Sequence, residues 1–580
     1  MEKFMLLAAA ICLGTLLPGQ GIVLLPGNES RSILERLELK TAISMPFHPA
    51  AQYITRGAAT RYALQLYSME HALTAMDKWD LKFIFKDNNE WLTETAQQQE
   101  PLPGKSQLEQ ALLSPHYERC SIPIAKIFYP TPANMLEVNE PGFFLRVNPL
   151  INFQGGLNMT GENSFFLNQR GLDIRGGLDD KIFFHTQILE SQAGFPKFVM
   201  ERIQKDKALP GAALYKPYNS RIFNVQNGYD FLTAQSYVGF NLTPHLGAQL
   251  GYGRHFIGSG QRSMLLSDFA HSYPFLRLNW GVWKLHYQNL FAELDIRSAN
   301  QTPDGVMVSK KYMAAHYLSV QLGRKAHIGL FETVVFSRPN HFAFQYLNPL
   351  ILYRAVEQAT GSPDNVLIGL DGRWNFLKNL QLYGQFMLDE FVFRELITEN
   401  QGWWANKFGF QAGMKWINAF GLDHLDLQSE FNTARPYTFA HRDSSGSYTH
   451  HNQPLAHPLG ANFREGVFVA RYRPAPRWWT EARIIMAQSG EDYTGQNWGG
   501  NPLIPDQTFV NTYGNFTGQG ATANITIASL ECSYMLAQHV FAELRLFHRQ
   551  KKSQDPIRND TTTFIMAGIR ANLPKWRMEF

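Results

Sequence analysis

The chain has 580 residues, of which 18% are charged and 13% aromatic, and its formal net charge is +4. So few charges and so many aromatics are unusual for a soluble chain of this length. The basic residues are spread along the sequence instead of gathered on one run or face, which excludes a nucleic-acid footprint.

Residues 1–21 read as a secretory signal. Lys3 supplies a thin positive region, residues 4–17 an apolar stretch too short to cross a bilayer comfortably, and cleavage is expected near Pro18 to Gly21. Cys12 lies inside that stretch behind Ile11, where a lipoprotein signal wants a small residue. Cys120 and Cys532 remain, too far apart for a disulfide framework, so free thiols are expected. No later apolar run is long enough for a transmembrane helix.

Residues 22–135 do not alternate. Residues 50–69 carry Tyr53, Ile54, Ala58, Tyr62, Leu64, Leu66 and Tyr67 at helical spacings. Thr74 and Asp77 form a loose capping box opening a second helix, Leu81, Ile84 and Phe85 follow at i, i+3, i+4, and Asp87-Asn88-Asn89 ends it. Residues 97–107, polar with Pro101 and Pro103, read as a linker or loop. Two short helices make a small periplasmic unit, expected to plug a barrel from below or inside; a free periplasmic domain is the alternative.

From Phe143 onward, stretches of about ten residues alternate polar with apolar, as strands between lipid and a polar lumen do. Lys407, Gly409, Gln411, Gly413 and Lys415, for example, alternate with Phe408, Phe410, Ala412, Met414 and Trp416. A soluble sandwich also alternates; the wiring decides against it. Short turns at 179–180, 244–245, 279–281, 324–326, 378–379, 420–423, 474–477 and 537–539 are separated by longer connections, such as 191–230, 259–274, 296–310, 339–365, 442–463 and 492–520. Tight turns at one end and long loops at the other are how outer-membrane barrels are connected. Strands are expected to start near Phe143, Phe165, Lys181, Phe231, Leu246, Phe275, Val282, Lys311, Ile328, Val366, Leu380, Lys407, His424, Glu465, Trp478, Ala521, Val540 and Thr561. The expected fold is an all-β transmembrane barrel of about eighteen antiparallel strands over residues 136–580, with a helical plug before it. It belongs in a bacterial outer membrane, with the N-terminal region periplasmic and the long loops extracellular. Trp576, Met578 and Phe580 share an alternating face at the end of the chain, a pattern similar to the insertion signal read by the outer-membrane assembly machinery.

Residues 252–276 read Y-G-R-H-F-I-G-S-G-Q-R-S-M-L-L-S-D-F-A-H-S-Y-P-F-L. This stretch resembles the outer-membrane family of the capsule-assembly protein Wzi, whose members carry G-x-x-(W/F)-x-G-x-G followed by S-L-x-L-S-(N/D); Met264 stands where that pattern has its first leucine. The resemblance implies an eighteen-strand barrel closed on the periplasmic side by a helical bundle. Leu37-Glu-Leu-Lys40, Asp87-Asn-Asn-Glu-Trp91, Asn348-Pro-Leu-Ile351, and His457-Pro-Leu-Gly-Ala461 with Phe463-Arg-Glu465 resemble RemB-like gliding-motility proteins of the Bacteroidota. Gly251, Gly253, Gly258 and Gly260 also have a structural reading, a strand bending into a loop.

No catalytic constellation is expected. His255, Ser259, Ser263 and Asp268 can be drawn as a triad, yet Ser263 and Asp268 fall in an irregular loop, and triads are recognised by geometry. His441, His450, His451 and His457 cluster in a Ser- and Gly-rich loop and read as solvated side chains without a metal; no cofactor is implied. Ligand binding has better support. Its candidates are Arg254, His255 and Arg262 in the motif, and Trp403, Trp404, Tyr493, Trp498 and Tyr513, with Phe516, among Asn, Gln and Gly in the outer loops. That composition suits a glycan surface, and equally an aromatic belt at the bilayer interface, where Trp478 and Trp479 would also sit. Three functions fit: binding or assembly of capsular or exopolysaccharide at the surface, a structural part of gliding-motility or secretion machinery docked to other surface proteins, and a diffusion porin. The N-terminal unit argues against the porin. Outer-membrane lipid and, during biogenesis, the assembly machinery are expected partners in every case.

Overall fold

Eighteen strands run up and down in chain order: β1 (Phe143–Asn158), β2 (Phe165–Leu178), β3 (Ile182–Gly194), β4 (Val225–Thr243), β5 (Leu246–Gly253), β6 (Tyr273–Val282), β7 (Leu285–Asp295), β8 (Lys310–Leu322), β9 (Ala326–Phe336), β10 (Asn365–Leu377), β11 (Leu380–Glu390), β12 (Lys407–Trp416), β13 (Leu425–Ala434), β14 (Phe463–Tyr472), β15 (Trp478–Glu491), β16 (Ala521–Ala537), β17 (Val540–Ser553) and β18 (Asp560–Ala571). The computed structural model describes residues 21–580 except 70–72, 93–129, 132, 161–164, 222–224, 304–305, 339–340, 351, 362–363, 391, 393 and 396–400. Each strand is antiparallel to the next, and β18 returns to β1 with Ile151 opposite Ala571 and Asn158 opposite Phe564. The sheet therefore has no free edge. The signal segment up to residue 20, Cys12, Cys120 and residues 97–107 lie outside the described residues. Cys532 is a free thiol.

Strand starts follow the alternation closely, with two clear departures. Residues 279–281, expected as a turn before a strand at Val282, continue β6, so that the turn falls at 283–284, because Asn279 to Val282 keep pairing with β7. β4 begins at Val225, ahead of the expected Phe231, because residues 225–230 extend the strand beyond the apolar band and pair with a short strand, Lys216–Ser220. A helix, Lys197–Asp206, fills part of the same connection.

Three helices cross the short-turn end. α1 (Glu29–Thr41) is capped by Asn28, whose side chain accepts from the Ser30 N–H at 2.8 Å. α2 (Arg56–Tyr67) is capped by Thr55, and α3 (Ala75–Asp87) by the Thr74/Asp77 capping box. α1 has a weak sequence signal, because Arg31, Arg36 and Glu38 are buried beside Ile33, Leu34 and Leu37 and no polar face is left. Apolar side chains of all three helices pack together and against Met535 and Phe541 of the wall. Around that core, carboxylates of the plug pair with cations of the barrel: Glu29 with Arg570 at 3.2 Å, Glu35 with Lys415 at 2.8 Å, Asp80 with Arg473 at 2.7 Å, Glu90 with Arg175 at 3.0 Å, and Glu38 with Arg373. The partners come from β2, β10, β12 and β18 and from the turn after β14, so the plug is fastened round much of the circumference.

Two segments lie within the lumen, one expected as the aromatic end of the last wall strand and one as an outer loop. Trp576–Phe580 is not a strand. After β18 the chain turns into the lumen, where Arg545 donates to the Trp576 carbonyl at 3.0 Å, Arg262 to the Glu579 carbonyl at 2.7 Å and Arg549 to the Phe580 carbonyl at 3.2 Å. Phe580 packs on Phe198 and Phe269. Residues 446–463 are also largely buried, with Tyr448 and Leu455 in the luminal core. The expectation of solvated histidines is thus overturned for His450, His451 and His457: His457 pairs with Glu465 at 2.8 Å and His451 with Asp295 at 3.0 Å.

The connection from β9 to β10 behaves differently again, folding back over the outer face of the wall. Phe342 packs on Phe291, Tyr312 and Phe336, and Tyr346 on Phe336, while the Tyr287 hydroxyl donates to the Pro349 carbonyl. Beneath this strap lie three buried polar residues on the outward face, Asn289, His316 and Glu332. Asn289 donates to the Pro349 carbonyl at 3.3 Å, His316 meets the Tyr353 hydroxyl, and Glu332 accepts from the Arg354 N–H at 3.1 Å. The strap's own outer side carries Phe344, Leu350 and Leu352, 84%, 83% and 63% exposed.

Candidate functional site

The predicted ligand residues separate into two places. The first is the motif loop between β5 and β6. Instead of projecting past the rim, it crosses the lumen and docks on the opposite wall. Gln385 of β11 donates to the Ile257 carbonyl at 2.9 Å and accepts from the Met264 N–H at 2.8 Å. Glu430 of β13 accepts from the backbone N–H groups of Gln261 at 2.6 Å and Arg262 at 3.0 Å. This contact explains two glycines of the motif: a Cβ on Gly258, whose φ is +142°, would come within 2.5 Å of Gln385, and one on Gly260 within 2.4 Å of Glu430. The Ser263 hydroxyl holds the bend, donating to the Ile257 carbonyl at 2.6 Å and accepting from the Leu265 and Leu266 N–H groups.

Arg262 and His255 are therefore occupied in the structure. Arg262 is forked onto Glu465 at 3.0 and 3.3 Å, a bidentate geometry that guanidinium and carboxylate match well. His255 contacts the Tyr273 hydroxyl at 3.2 Å and lies edge-on to Phe275; Ser263 and Asp268 are not among its hydrogen-bond partners. Arg254 differs: it is half-buried, donates to the Asp268 carbonyl at 3.1 Å, and lines a cavity beside the plug.

The second place is the long-loop end. The connection 401–406 is joined to the long loop 492–520 by backbone hydrogen bonds, Gly514 N–H to Gln401 O at 2.7 Å, Asn515 N–H to Gly402 O at 2.9 Å and Trp404 N–H to Thr512 O at 3.0 Å. Trp404 is pinned there, stacked on Phe509 at 4.4 Å with the Lys407 ammonium 5.5 Å from its ring. Trp403 is half-buried beside it, and Tyr513 and Phe516 are 43% and 62% exposed. Asn515 fixes this ledge by donating to the Asn511 and Gly402 carbonyls. The same loops thus bring together Trp403, Trp404 and Tyr513, and add Phe516. Tyr493 stands in the first turn of the long loop, 46% exposed. Trp498 is packed inside that loop: its N–H donates to Asp492 and its carbonyl accepts from Asn462 and Gln519. Of the predicted belt residues, Trp478 faces outward, whereas Trp479 turns inward under the Arg473 guanidinium at 3.8 Å.

Two clusters could in principle gather a metal, Asp295 with His450 and His451, and Asp77 with Asp80 and His424. Part of each donor set is already engaged, while among the described residues both ring nitrogens of His424, Asp80 Oδ2 and His451 Nδ1 have no hydrogen-bond partner. His450 accepts from the Asp295 N–H at 2.9 Å, and Asp295 also pairs with Lys310 at 2.7 Å. Asp77 is held by Arg36 and Lys40, and Asp80 by Arg473.

No family model and no curated protein matches the chain. Among solved structures, Wzi of Escherichia coli, an outer-membrane protein involved in group 1 capsule assembly and a carbohydrate-binding β-barrel, is similar to it with a TM-score of 0.55 and 12% identity, over 96% of this chain and 99% of that one. OprD of Pseudomonas aeruginosa gives 0.40 and 8% identity, over 73% of this chain and 94% of its own. OccAB2 of Acinetobacter baumannii gives 0.39 and 8%, over 73% and 97%. At 12% identity the likeness to Wzi is one of fold: the chain is built as an outer-membrane β-barrel of that architecture.

Proposed function

We propose that this outer-membrane barrel binds, or helps to assemble, surface polysaccharide at its long-loop end, with the plugged end in the periplasm. The observation that carries the reading is the ledge of Trp403, Tyr513 and Phe516, rings presented by two loops bonded backbone to backbone. Sugar rings stack their C–H faces on such aromatics, while neighbouring amides bond the hydroxyls. The shared fold with a carbohydrate-binding barrel supports it. A diffusion porin is a poor fit, because plug, motif loop, residues 446–463 and the C-terminal tail all occupy the lumen. Glycan-array binding of the purified protein tests the proposal. Replacing Trp403, Tyr513 and Phe516 together by alanine should weaken binding by about 1–3 kcal/mol per lost stacking contact, by analogy with bases on aromatics, and leave heat-modifiable folding intact. A wild type that retains no glycan, or a folded triple variant that binds as well, overturns it.

A further inference from the structure

Between plug, motif loop and strands β3 to β6 lies a small cavity of about 50 Å3, lined among others by Gln52, His185, Gln235, Arg254 and Arg277. We propose that this cavity binds a compact oxyanion, a carboxylate or phosphate group, with Arg277 as its main counter-charge and Arg254 as its second.

Arg277, on β6, is 7% exposed. Its Nε and Nη2 both donate to one neutral acceptor, the Gln249 side-chain oxygen, the former at 2.9 Å. Its flat faces lie near the rings of Tyr53 and Phe275, 4.8 and 5.8 Å from their centroids. Among the described residues no carboxylate oxygen comes within 4.0 Å of it; the groups that feel its charge include the phenols of Tyr53, Tyr237 and Tyr273 and the imidazoles of His255 and His286. Several other cations projecting into the lumen are paired: Arg175, Arg373 and Arg570 each meet a carboxylate of the plug, and Arg262 meets Glu465. Lys311, which has no carboxylate partner, is satisfied instead by three oxygens of Ser447 and Thr449. Asp173 is engaged with His185, a residue of the cavity lining, at 2.8 Å. Asp268 meets Arg254 through its backbone oxygen, not its carboxylate.

A buried guanidinium without a counter-charge is costly, and breaking such a pair leaves that cost exposed. An anion from solution removes it. Among the described residues Nη1 of Arg277 makes no hydrogen bond, and Arg254 and Gln235 line the same cavity, the first a second cation and the second a neutral amide donor. A planar or tetrahedral oxyanion matches this donor set better than a hydrated halide does, because guanidinium binds two oxygens at once. The site is separate from the loop-end ledge and does not depend on it.

The test is the thermal unfolding midpoint of the full chain in detergent, read by heat-modifiable gel mobility. It compares a zwitterionic buffer free of oxyanions, the same buffer with sodium phosphate or sodium glucuronate, and sodium chloride at equal ionic strength. Phosphate, glucuronate or both should raise the wild-type midpoint by several degrees beyond chloride. An increment from phosphate alone assigns the site to inorganic anions or phosphate esters, and one from glucuronate to acidic sugars. Arg277→Met should lose the increment, yet unfold no earlier than the wild type in the oxyanion-free buffer, since it removes an uncompensated charge. Arg277→Lys should keep part of it. If Arg277→Met does not fold, Arg254→Gln should still show a reduced increment. The triple loop variant should retain the full increment, so failure of the glycan reading is seen separately. No increment over chloride with either oxyanion, or the same increment in Arg277→Met, overturns the proposal.

Discussion

His539 sits in the tight turn between β16 and β17 with Asp87 of α3 at 3.2 Å on one side and Glu29 of α1 at 3.6 Å on the other. Burial alone would push its pKa down; the two carboxylates outweigh burial and raise it to about 9. A folded-state pKa above the ordinary value of about 6.5 stabilises the docked plug fully at lower pH and loses that contribution as pH rises through about 9. The thermal midpoint should therefore fall between pH 7 and pH 10 by the equivalent of up to about 3 kcal/mol, and His539→Gln should start lower and show a flatter profile. A wild type as flat as the variant over that range refutes the coupling. Pairs of this kind are where a sequence is silent. Glu38 and Arg373 lie 335 residues apart, and nothing local marks either as the partner of the other. Gly258 and Gly260 were legible as bend formers, but not the reason for them, the close approach of Gln385 and Glu430 from across the barrel.

The elements were read well wherever lipid dictates them. Alternation between lipid and lumen is a local signal, so all eighteen wall strands were visible, whereas the short strand Lys216–Ser220, which leaves the wall, was not. The segments that fold back were not, since a loop turning inward is as aromatic and amide-rich as one that projects. Residues 446–463 and the tail show the difference, and each yields a prediction. Protease added to intact cells should cut at the exposed turns 493–496 and 511–514 and spare 446–463, because cleavage needs exposed, mobile backbone; early cutting within 446–463 would contradict its luminal placement. Deleting residues 576–580 leaves β18 whole but strips carbonyl partners from Arg262, Arg545 and Arg549. The shortened barrel should still insert and show heat-modifiable mobility, with a lower unfolding temperature. If it fails to reach the outer membrane, the terminal aromatics act as the insertion signal that their spacing implies.

At the scale of the whole molecule, the alternation of short turns and long connections foretold both closure and parity: chain entry and exit both lie at the short-turn end, where β1 begins and β18 finishes. It did not foretell how full the lumen is. Current through the intact protein in a planar bilayer should be small, and removal of residues 22–92 should raise it only in part, because the motif loop and tail remain across the bore. Large, steady currents from the intact chain would show that the contents part easily. The strap over β7 to β10 has a different consequence. Were the wall bare there, His316 and Glu332 would meet acyl chains at a depth where unpaired polar groups are expensive. In the folded barrel the strap keeps this sector clad, so that its polar groups are bonded to protein and not turned to lipid. Once in place it also breaks the barrel's rotational sameness, giving the molecule a keel of Phe344, Leu350 and Leu352 and so a heading in the plane of the membrane.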